Sequence, residues 1–353
     1  MSRVAIVGAG TAGLAAAALL ARAGHDVEVL ERAPDPGPVG AGLLLQPTGM
    51  RVLERLGVLE EVRAGAARVD RVVGTTIRGK RFMDFAYADL RPGLHGLGVH
   101  RGALFTALRG AAERAGARLR AGVEVREPPS GYDHVVGADG ARSAMRRHLD
   151  APARVYEHPW GALWAILPDP AGTFDGTLSQ YFDGARRMAG FLPTGAGAVS
   201  LFWSVRLDRL PDGEDLRRDL LALAPHAEGL IQALTAPTVA SYRQVSLRRW
   251  HAGPLVLVGD AAHALSPQLG HGANLALLDA EALADAFPDF AAYQRARRSQ
   301  ATFYAFAARA LNLVFQNDRD VFALPRDHLM GPANRIPPVK RLLLRILSGE
   351  VLV

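Results

Sequence analysis

The chain has no cysteine, so disulfides and thiolate metal sites are excluded. A reducing compartment is compatible with that absence, and the expected location is the cytoplasm. Lysine is nearly absent too: Lys80 and Lys340 are the only two among 41 basic residues. The formal charge of +6 is therefore almost all arginine. Those arginines are scattered and form no basic run interleaved with aromatics, so nucleic acid is not an expected partner. No uncharged stretch is both long enough and poor enough in glycine to cross a bilayer, and integral membrane association is not expected. Metal-ligand spacing such as HExxH is missing, and no metal is expected. A Ser-His-Asp arrangement, internal repeats and low-complexity tails are missing as well. What is present is a globular composition, 49% hydrophobic and 22% charged over 353 residues, enough for one large core or two domains.

The most informative stretch is Val4-Ala5-Ile6-Val7-Gly8-Ala9-Gly10-Thr11-Ala12-Gly13-Leu14. An Ala-rich helical run continues to about Ala23, and Val27-Glu28-Val29-Leu30 then leads to Glu31. The order is strand, glycine-rich turn, helix, strand, acid, which is the pattern of a dinucleotide site. Gly8 permits the tight turn, Gly10 lets the backbone approach a pyrophosphate, and Gly13 lets the helix pack against the strand. The helix N-terminus offers free N–H groups to the phosphates. Glu31 can accept from ribose hydroxyls and disfavours a 2′-phosphate, so the nucleotide is the ADP part of FAD or NAD rather than NADP. Met1-Ser2-Arg3 before an uncharged run also fits a secretory signal. Three glycines at fixed offsets and an immediate second strand argue against it.

Further along, a Pro/Gly loop spans 33–42, and Thr48 can cap a helix from Gly49 to Leu56. Residues 72–78 and 81–87 read as a hairpin about Gly79-Lys80. Arg101 precedes a helix over 103–115, and a strand is expected over 118–125. Val135-Val136-Gly137-Ala138-Asp139-Gly140 is a short strand ending in Asp-Gly before another helix. Strands are expected over 161–167, 177–182, 188–192, 198–205 and 239–247, with a helix over 215–224. The second informative stretch begins at Pro254. A buried strand delivers Gly259-Asp260 to its end, and a loop with Pro267, Gly270 and Gly272 opens a long helix to about Phe287. Helices follow over 289–313 and 339–347. The last is basic and amphipathic; its expected role is docking on the body of the protein, the alternative being a membrane surface.

Three strand ends carrying Gly or Asp-Gly would line one crevice of a parallel sheet, and one large cofactor touching all three is the economical explanation. The ordered set resembles the single-component flavin-dependent aromatic hydroxylases, the para-hydroxybenzoate hydroxylase-like FAD monooxygenases. Gly8, Gly10, Gly13 and Glu31 match the ADP fingerprint, and Asp139-Gly140 with Arg142-Ser143 matches the Asp-Gly motif. Gly259-Asp260-Ala261-Ala262-His263, Pro267, Gly270, Gly272 and Asn274 match the Gly-Asp motif and the flavin-binding helix start. The resemblance implies an α/β fold with a Rossmann-like FAD-binding domain, an interleaved β-sheet substrate domain and C-terminal helices. It divides the chain into a discontinuous cofactor domain (1–68, 96–154 and 249–287), a substrate domain (69–95 and 155–248) and C-terminal helices (288–353). It implies FAD contacts at Glu31 (adenosine ribose), Arg101 (pyrophosphate), Asp260 (ribityl chain) and residues 270–274 (pyrimidine edge). Ala12, Arg32, Gly42, Leu44, Val123, His271 and Ala273 are further implied contacts. His271 stands where the family often has Gln and is expected to be a neutral surface change. The segment between Val125 and His134 is short, as if a meander were trimmed.

The implied reaction uses NADH or NADPH and O2 to hydroxylate a small aromatic substrate through a flavin C4a-hydroperoxide. Gln180, Tyr181, Arg187, Phe202, Pro267 and His271 are candidates to line the pocket. Phe202 and Trp203 are adjacent, so at most one faces it. His263 is expected to pack or hydrogen-bond near its loop rather than act as a base. The alternatives are a flavin dehydrogenase or reductase, a halogenase on the faint match of Trp164-Ala165-Ile166-Leu167-Pro168, and a catalytically silent flavin-fold binding protein. A monomer or a homodimer is expected.

Overall fold

The structure is a computed structural model that describes residues 1–37 and 40–352. Pro38 and Val39 of the Pro/Gly loop, and Val353, lie outside the described residues. The chain opens with β1 (Arg3–Val7), α1 (Thr11–Arg22) and β2 (Asp26–Glu31), as the spacing predicts. Next come β3 (Gly42–Leu45), α2 (Pro47–Arg55), α3 (Leu59–Ala64) and the hairpin β4 (Ala67–Thr76)–β5 (Arg81–Ala86). Then follow β6 (Gly96–His100), α4 (Arg101–Arg114), β7 (Arg118–Ala121) and β8 (His134–Gly137). The long antiparallel run is β9 (Arg154–Pro168), β10 (Gly176–Asp183), β11 (Arg187–Gly195) and β12 (Ala198–Arg206). After α5 (Gly213–Leu223), α6 (Glu228–Gln232) and β13 (Thr238–Ser246), the chain returns through β14 (His251–Ala252) and β15 (Leu255–Leu257). It closes with α7 (Asp260–His263), α8 (Gly272–Ala286), α9 (Phe290–Phe315), α10 (Ala323–Ala333) and α11 (Pro337–Ser348).

Two sheets result. The smaller has the order β14-β15-β8-β1-β2-β7 and is parallel except at β14. Val4–Val7, Val135–Val136 and Leu255–Leu257 are almost wholly buried, because helices cover both faces and the strands read as continuous apolar runs. The Ala-rich α1 packs against α8 and α4 on one of these faces. The larger sheet has the order β13-β9-β12-β11-β10-β4-β6-β3, with β5 beside β4. Its β4–β10 pair is parallel although the neighbouring pairs are antiparallel. One face is covered by α5 and α6, whose Leu216, Leu220 and Ile231 pack on Phe191, Leu201 and Trp203. Leu192, Met188 and Phe182 of the other face join Phe315 of α9, Leu344 of α11 and Leu44 of β3.

Several local expectations need correction. Thr48 does not cap α2: Gln46 occupies the cap position, Pro47 starts the helix, and the Thr48 hydroxyl donates to the Ser348 carbonyl at 3.3 Å. β7 stops at Ala121, four residues early, because Gly122 takes a positive φ of 76°. Asp139-Gly140 leads only to a 3-10 turn at Met145–His148. The Pro/Arg-rich segment after α9 folds as α10 despite Pro325 and Pro332. β3 and β6, within segments expected to belong to the cofactor domain, extend the larger sheet instead.

Candidate active site

The strand order sets β15, β8, β1 and β2 side by side and parallel. Their C-terminal ends therefore bring Asp260, Asp139, Gly8–Gly10 and Glu31 to one edge of the sheet. Gly8 has φ +106°, and a Cβ there would lie 2.6 Å from the Ala138 carbonyl oxygen. A Cβ on Gly13 would lie 2.0 Å from the Gly8 carbonyl oxygen, so α1 sits as near the turn as its backbone allows. Gly10 differs: a Cβ there meets nothing within 4 Å. The protein itself does not require glycine at position 10. The open space lies at the N-terminus of α1, where Gly10 is the cap and no side chain bonds the first-turn amides. Free N–H groups, the helix dipole and open space are what a pyrophosphate needs, so this end of the crevice fits a dinucleotide cofactor.

Glu31 is held at the end of β2, accepting from the Ala9 amide at 2.7 Å and the Ala33 amide at 2.9 Å. Each carboxylate oxygen keeps a lone pair for a hydroxyl. Arg32 is exposed beside it, and the Val123 amide donates to the Glu31 carbonyl at 2.8 Å. Arg101 opens α4, its amide donating to the Ala41 carbonyl, and its side chain passes close to Gly40. Asp139 accepts from the amides of Ala144 (2.6 Å) and Met145 (3.2 Å), while its Oδ1 is buried with no partner among the described residues. Gly140 takes a positive φ and has open space at its Cβ position. Ala12 packs against Gly259. The Gly42 amide donates to the Ser200 hydroxyl at 2.9 Å, and the Leu44 carbonyl accepts from Asn274 at 3.1 Å.

The stretch after β15 is anchored by a buried charge network. Gly259 (φ +58°) donates its amide to Asp279 at 2.9 Å. Asp279 also meets His263 Nε2 at 2.5 Å and accepts from Arg297 Nε at 2.9 Å. Asp279 is 0% exposed, and His263 and Arg297 are buried with it. Burial opposes charge on both members of the pair. The neighbouring charges outweigh it: Asp279 and its hydrogen bond raise the His263 pKa, and His263 with Arg297 lowers that of Asp279 to about 2. Asp260 is solvent-exposed, yet it stands among enough protein atoms that desolvation pushes its carboxyl above the usual range, against the pull of His263, Arg101 and Arg146.

Ahead of α8, Gly270 (φ +65°) and Gly272 both have open space at their Cβ positions, and α8 has no side-chain cap. Pro267 is exposed in the short turn before them, and Ala273 is half-buried. Asn274 is fully buried: its Oδ1 accepts from the Gln46 amide at 2.8 Å, and its Nδ2 donates to Leu44 and Gly270 carbonyls. Its side chain is consumed inside the protein, so only backbone is left to meet a ligand. His271 is not on the surface. It is 2% exposed, meets the Ile346 carbonyl at 3.0 Å and packs on Tyr304, and burial lowers its pKa to about 4.

The pocket candidates divide between the two faces of the larger sheet. Register pairs Phe202 with Gly190 and Trp164, and Gly190 with Gln180, so these share the inner face with Ser200 and Leu192. Trp203 lies on the opposite face, against α5. Tyr181 and Arg187 also lie on that outer face and are withdrawn as pocket residues. Tyr181 meets His226 at 2.8 Å, and Arg187 pairs with Asp183 and Asp219. Among the described residues no group of three or more His, Asp or Glu side chains could hold a metal, and no helix is long and apolar enough to cross a membrane. Sequence reading missed Asp279, Arg297 and Arg146, whose Nε donates to the Ala261 carbonyl at 3.1 Å. A carboxylate inside the run Leu275–Ala280 was the one visible signal for Asp279.

Residues 1–301 match the family described as FAD binding domain. The chain is 30% identical over 323 residues to 6-hydroxynicotinate 3-monooxygenase of Bordetella bronchiseptica, covering 81% of this chain and 82% of that one. It is 31% identical, over an alignment of 416 positions, to kynurenine 3-monooxygenase of Salinispora arenicola, covering 98% of this chain and 85% of that one. Among solved structures, Klebsiella pneumoniae HpxO complexed with FAD and uric acid superposes with a TM-score of 0.83 at 21% identity, covering 97% of each chain. A probable FAD-dependent monooxygenase from Pseudomonas aeruginosa, PqsL, gives 0.79 at 26% identity, covering 91% and 98%.

Proposed function

The chain belongs to the FAD binding domain family, among its FAD-dependent aromatic monooxygenases, and from that premise we propose how its residues divide the work. The enzyme is an oxidoreductase that hydroxylates a small aromatic substrate with O2, with NAD(P)H as reductant. FAD, when bound, supplies the two-electron and oxygen chemistry that no side chain here can perform. The observation that carries the assignment of roles is the row of four adjacent strand ends, each delivering a group suited to a different part of one dinucleotide.

The N-terminus of α1 and the open space at Gly10 take the pyrophosphate, with Arg101 adding charge from the far wall. Glu31 accepts from the adenosine ribose, and Asp260 accepts from the ribityl hydroxyls. The uncapped N-terminus of α8, with the backbone of residues 270–274, donates to the pyrimidine edge. A helix N-terminus there stabilises negative charge by roughly 0.3–2 kcal/mol, which favours the reduced ring. The inner face of the larger sheet roofs the ring and excludes water from the reacting edge. We assign segments 1–68, 96–154 and 249–287 mainly to cofactor binding, with β3 and β6 as the seam to the substrate sheet. A cytoplasmic location fits the cysteine-free composition, and a monomer or homodimer is the working assembly.

Anaerobic titration of the purified protein with NADPH and NADH, followed by visible absorbance, tests this reading. Flavin bands should bleach, faster with an aromatic substrate present, and return when air is admitted. Protein that cannot be loaded with FAD overturns it.

A further inference from the structure

Only two lysines occur in the chain, Lys80 and Lys340, and both border one hollow. β5 pairs with β4 alone, so its far side is an open sheet edge. α10 lies along that edge, where Asn334 Nδ2 donates to the Phe82 carbonyl at 3.2 Å and the Arg326 guanidinium stacks on the Phe82 ring. Between the β4–β5 hairpin and the junction of α10 with α11 there remains a cleft of about 520 Å³. Small-molecule sites have volumes of roughly 300–1,000 Å³.

Five cations reach the cleft from separate places in the chain: Arg71 on β4, Lys80 in the hairpin turn, Arg81 on β5, Arg335 between α10 and α11, and Lys340 on α11. Two carboxylates answer them. Arg71 Nε donates to Asp84 at 2.5 Å, Arg81 donates to the same carboxylate at 3.1 Å, and Lys340 pairs with Asp89 at 2.7 Å. Each guanidinium keeps further N–H groups. Lys80 and Arg335 are exposed and pair with no carboxylate among the described residues. Positive charge is thus gathered in excess around one concavity, and an anion entering it relieves the repulsion. Guanidinium forks and compact ammonium groups are the two donors that phosphate oxygens accept from best. Gly331 and Pro332 complete the wall without charge, which leaves room for an organic body beyond the phosphate. None of the lining residues is among those assigned to FAD. We propose that this cleft binds a phosphate-bearing small molecule, with Lys80 and Arg335 supplying the contacts that the protein itself leaves unused. Two sources share that chemistry: a free phosphate ester, and the 2′-phosphate of NADPH, which NADH lacks. Only the second rests on the proposed reaction.

The test uses FAD-loaded full-length protein, so that the dinucleotide crevice is filled, at constant ionic strength. Binding of inorganic pyrophosphate and of adenosine 2′,5′-bisphosphate is read by titration calorimetry, without turnover. The wild type should bind at least one of them with Kd below about 1 mM. The double variant Lys80→Gln/Arg335→Gln should weaken that binding at least about ten-fold, since it removes two charge-assisted hydrogen bonds. Arg249→Gln/Arg298→Gln, which removes the same charge from exposed positions elsewhere, should not. Lys80 and Arg335 have no ionic partner to strand, so both variants should unfold at the wild-type temperature. A second readout needs no variant. Reductive methylation with isotope-labelled formaldehyde keeps the charge and tags, among side chains, Lys80 and Lys340 alone, and their NMR signals should move at the calorimetric Kd. No binding by the wild type, lysine signals that stay still while a probe binds, or equal binding by the two double variants overturns the proposal. The rate of anaerobic flavin bleaching at varied NADPH and NADH then assigns the source. Weaker dependence on NADPH alone in the cleft variant identifies the coenzyme's 2′-phosphate. Unchanged dependence on both, with pyrophosphate binding lost, identifies a free phosphate ester. A flavin that neither nicotinamide reduces defeats the proposed reaction and leaves the calorimetric result standing.

Discussion

Three glycines of one motif carry different burdens. Gly13 is demanded by the protein, because a methyl group there would sit 2.0 Å from the Gly8 carbonyl oxygen. Gly10 has an ordinary extended backbone (φ −75°) and open space, so alanine fits the protein and intrudes only on a ligand. Gly10→Ala should therefore leave the unfolding free energy of FAD-free protein within about 0.5 kcal/mol of wild type while weakening FAD binding at least about ten-fold. Gly13→Ala should destabilise the FAD-free protein outright. Urea denaturation with and without FAD separates the two; equal loss of stability in both variants would refute the distinction. His271 supports a second residue-level prediction. Its pKa is lowered from 6.5 to about 4 by burial, so the folded state favours the neutral ring. For a base with a depressed folded pKa, the stabilising effect is present above the unfolded value and lost as pH falls through the window from 6.5 to about 4. At 1.36 kcal/mol per unit, that window is worth about 3 kcal/mol. His271→Gln should lose less stability than wild type between pH 7 and pH 4 by about that amount. Parallel acid profiles would show that His271 does not titrate as described. The position also shows where sequence reading ends: a histidine between two glycines gives no local sign that residues 75 positions later will bury it.

At the scale of elements, α7 and α8 are tied through Asp279, which accepts from Gly259 and faces His263 and Arg297. Removing one member of a buried ionic group leaves the others uncompensated. Asp279→Asn should cost about 3–5 kcal/mol in urea denaturation and bring the His263 pKa down, as read by NMR titration. A change below about 1 kcal/mol would mean that the network does not hold the loop. What sequence showed of these elements follows a simple division. The strand–turn–helix–strand over 3–31, the hairpin about Gly79-Lys80 and the strand ends at Asp139 and Asp260 are set by local spacing and were legible. The β4–β10 pairing and the entry of β3 and β6 into the larger sheet join residues far apart in the chain, so no local pattern announces them. Alternation correctly separates Phe202 from Trp203, but it does not say which face meets the cofactor. Tyr181 and Arg187 were misplaced for that reason.

At the scale of the whole molecule, the C-terminal segment closes the structure on itself. Ile346 offers one carbonyl to both His271 and Tyr304, the latter at 2.9 Å. Gln300 donates to Gly349 and Val351 at 3.1 Å each, and Thr48 reaches Ser348. Leu344 is 1% exposed, whereas Arg341, Leu342 and Arg345 face outward. The amphipathic character of α11 is thus spent on docking against the cofactor loop, α9 and α2. Deleting residues 337–353 would strand the buried donors of Gln300, Tyr304 and His271, each at a cost of about 1–3 kcal/mol, against a typical total stability of about 5–15 kcal/mol. The deletion should lower unfolding free energy by at least about 4 kcal/mol. It should also weaken FAD binding, because His271 lies between Gly270 and Gly272 and loses its support. Adding a peptide of residues 337–352 in trans should recover part of both. A truncated protein with unchanged stability and FAD affinity, differing only in sedimentation with anionic vesicles, would instead make α11 a membrane-surface element. The docking contacts argue against that outcome, because vesicle binding through Leu344 and Ile346 would require undoing the same bonds that hold the cofactor loop in place.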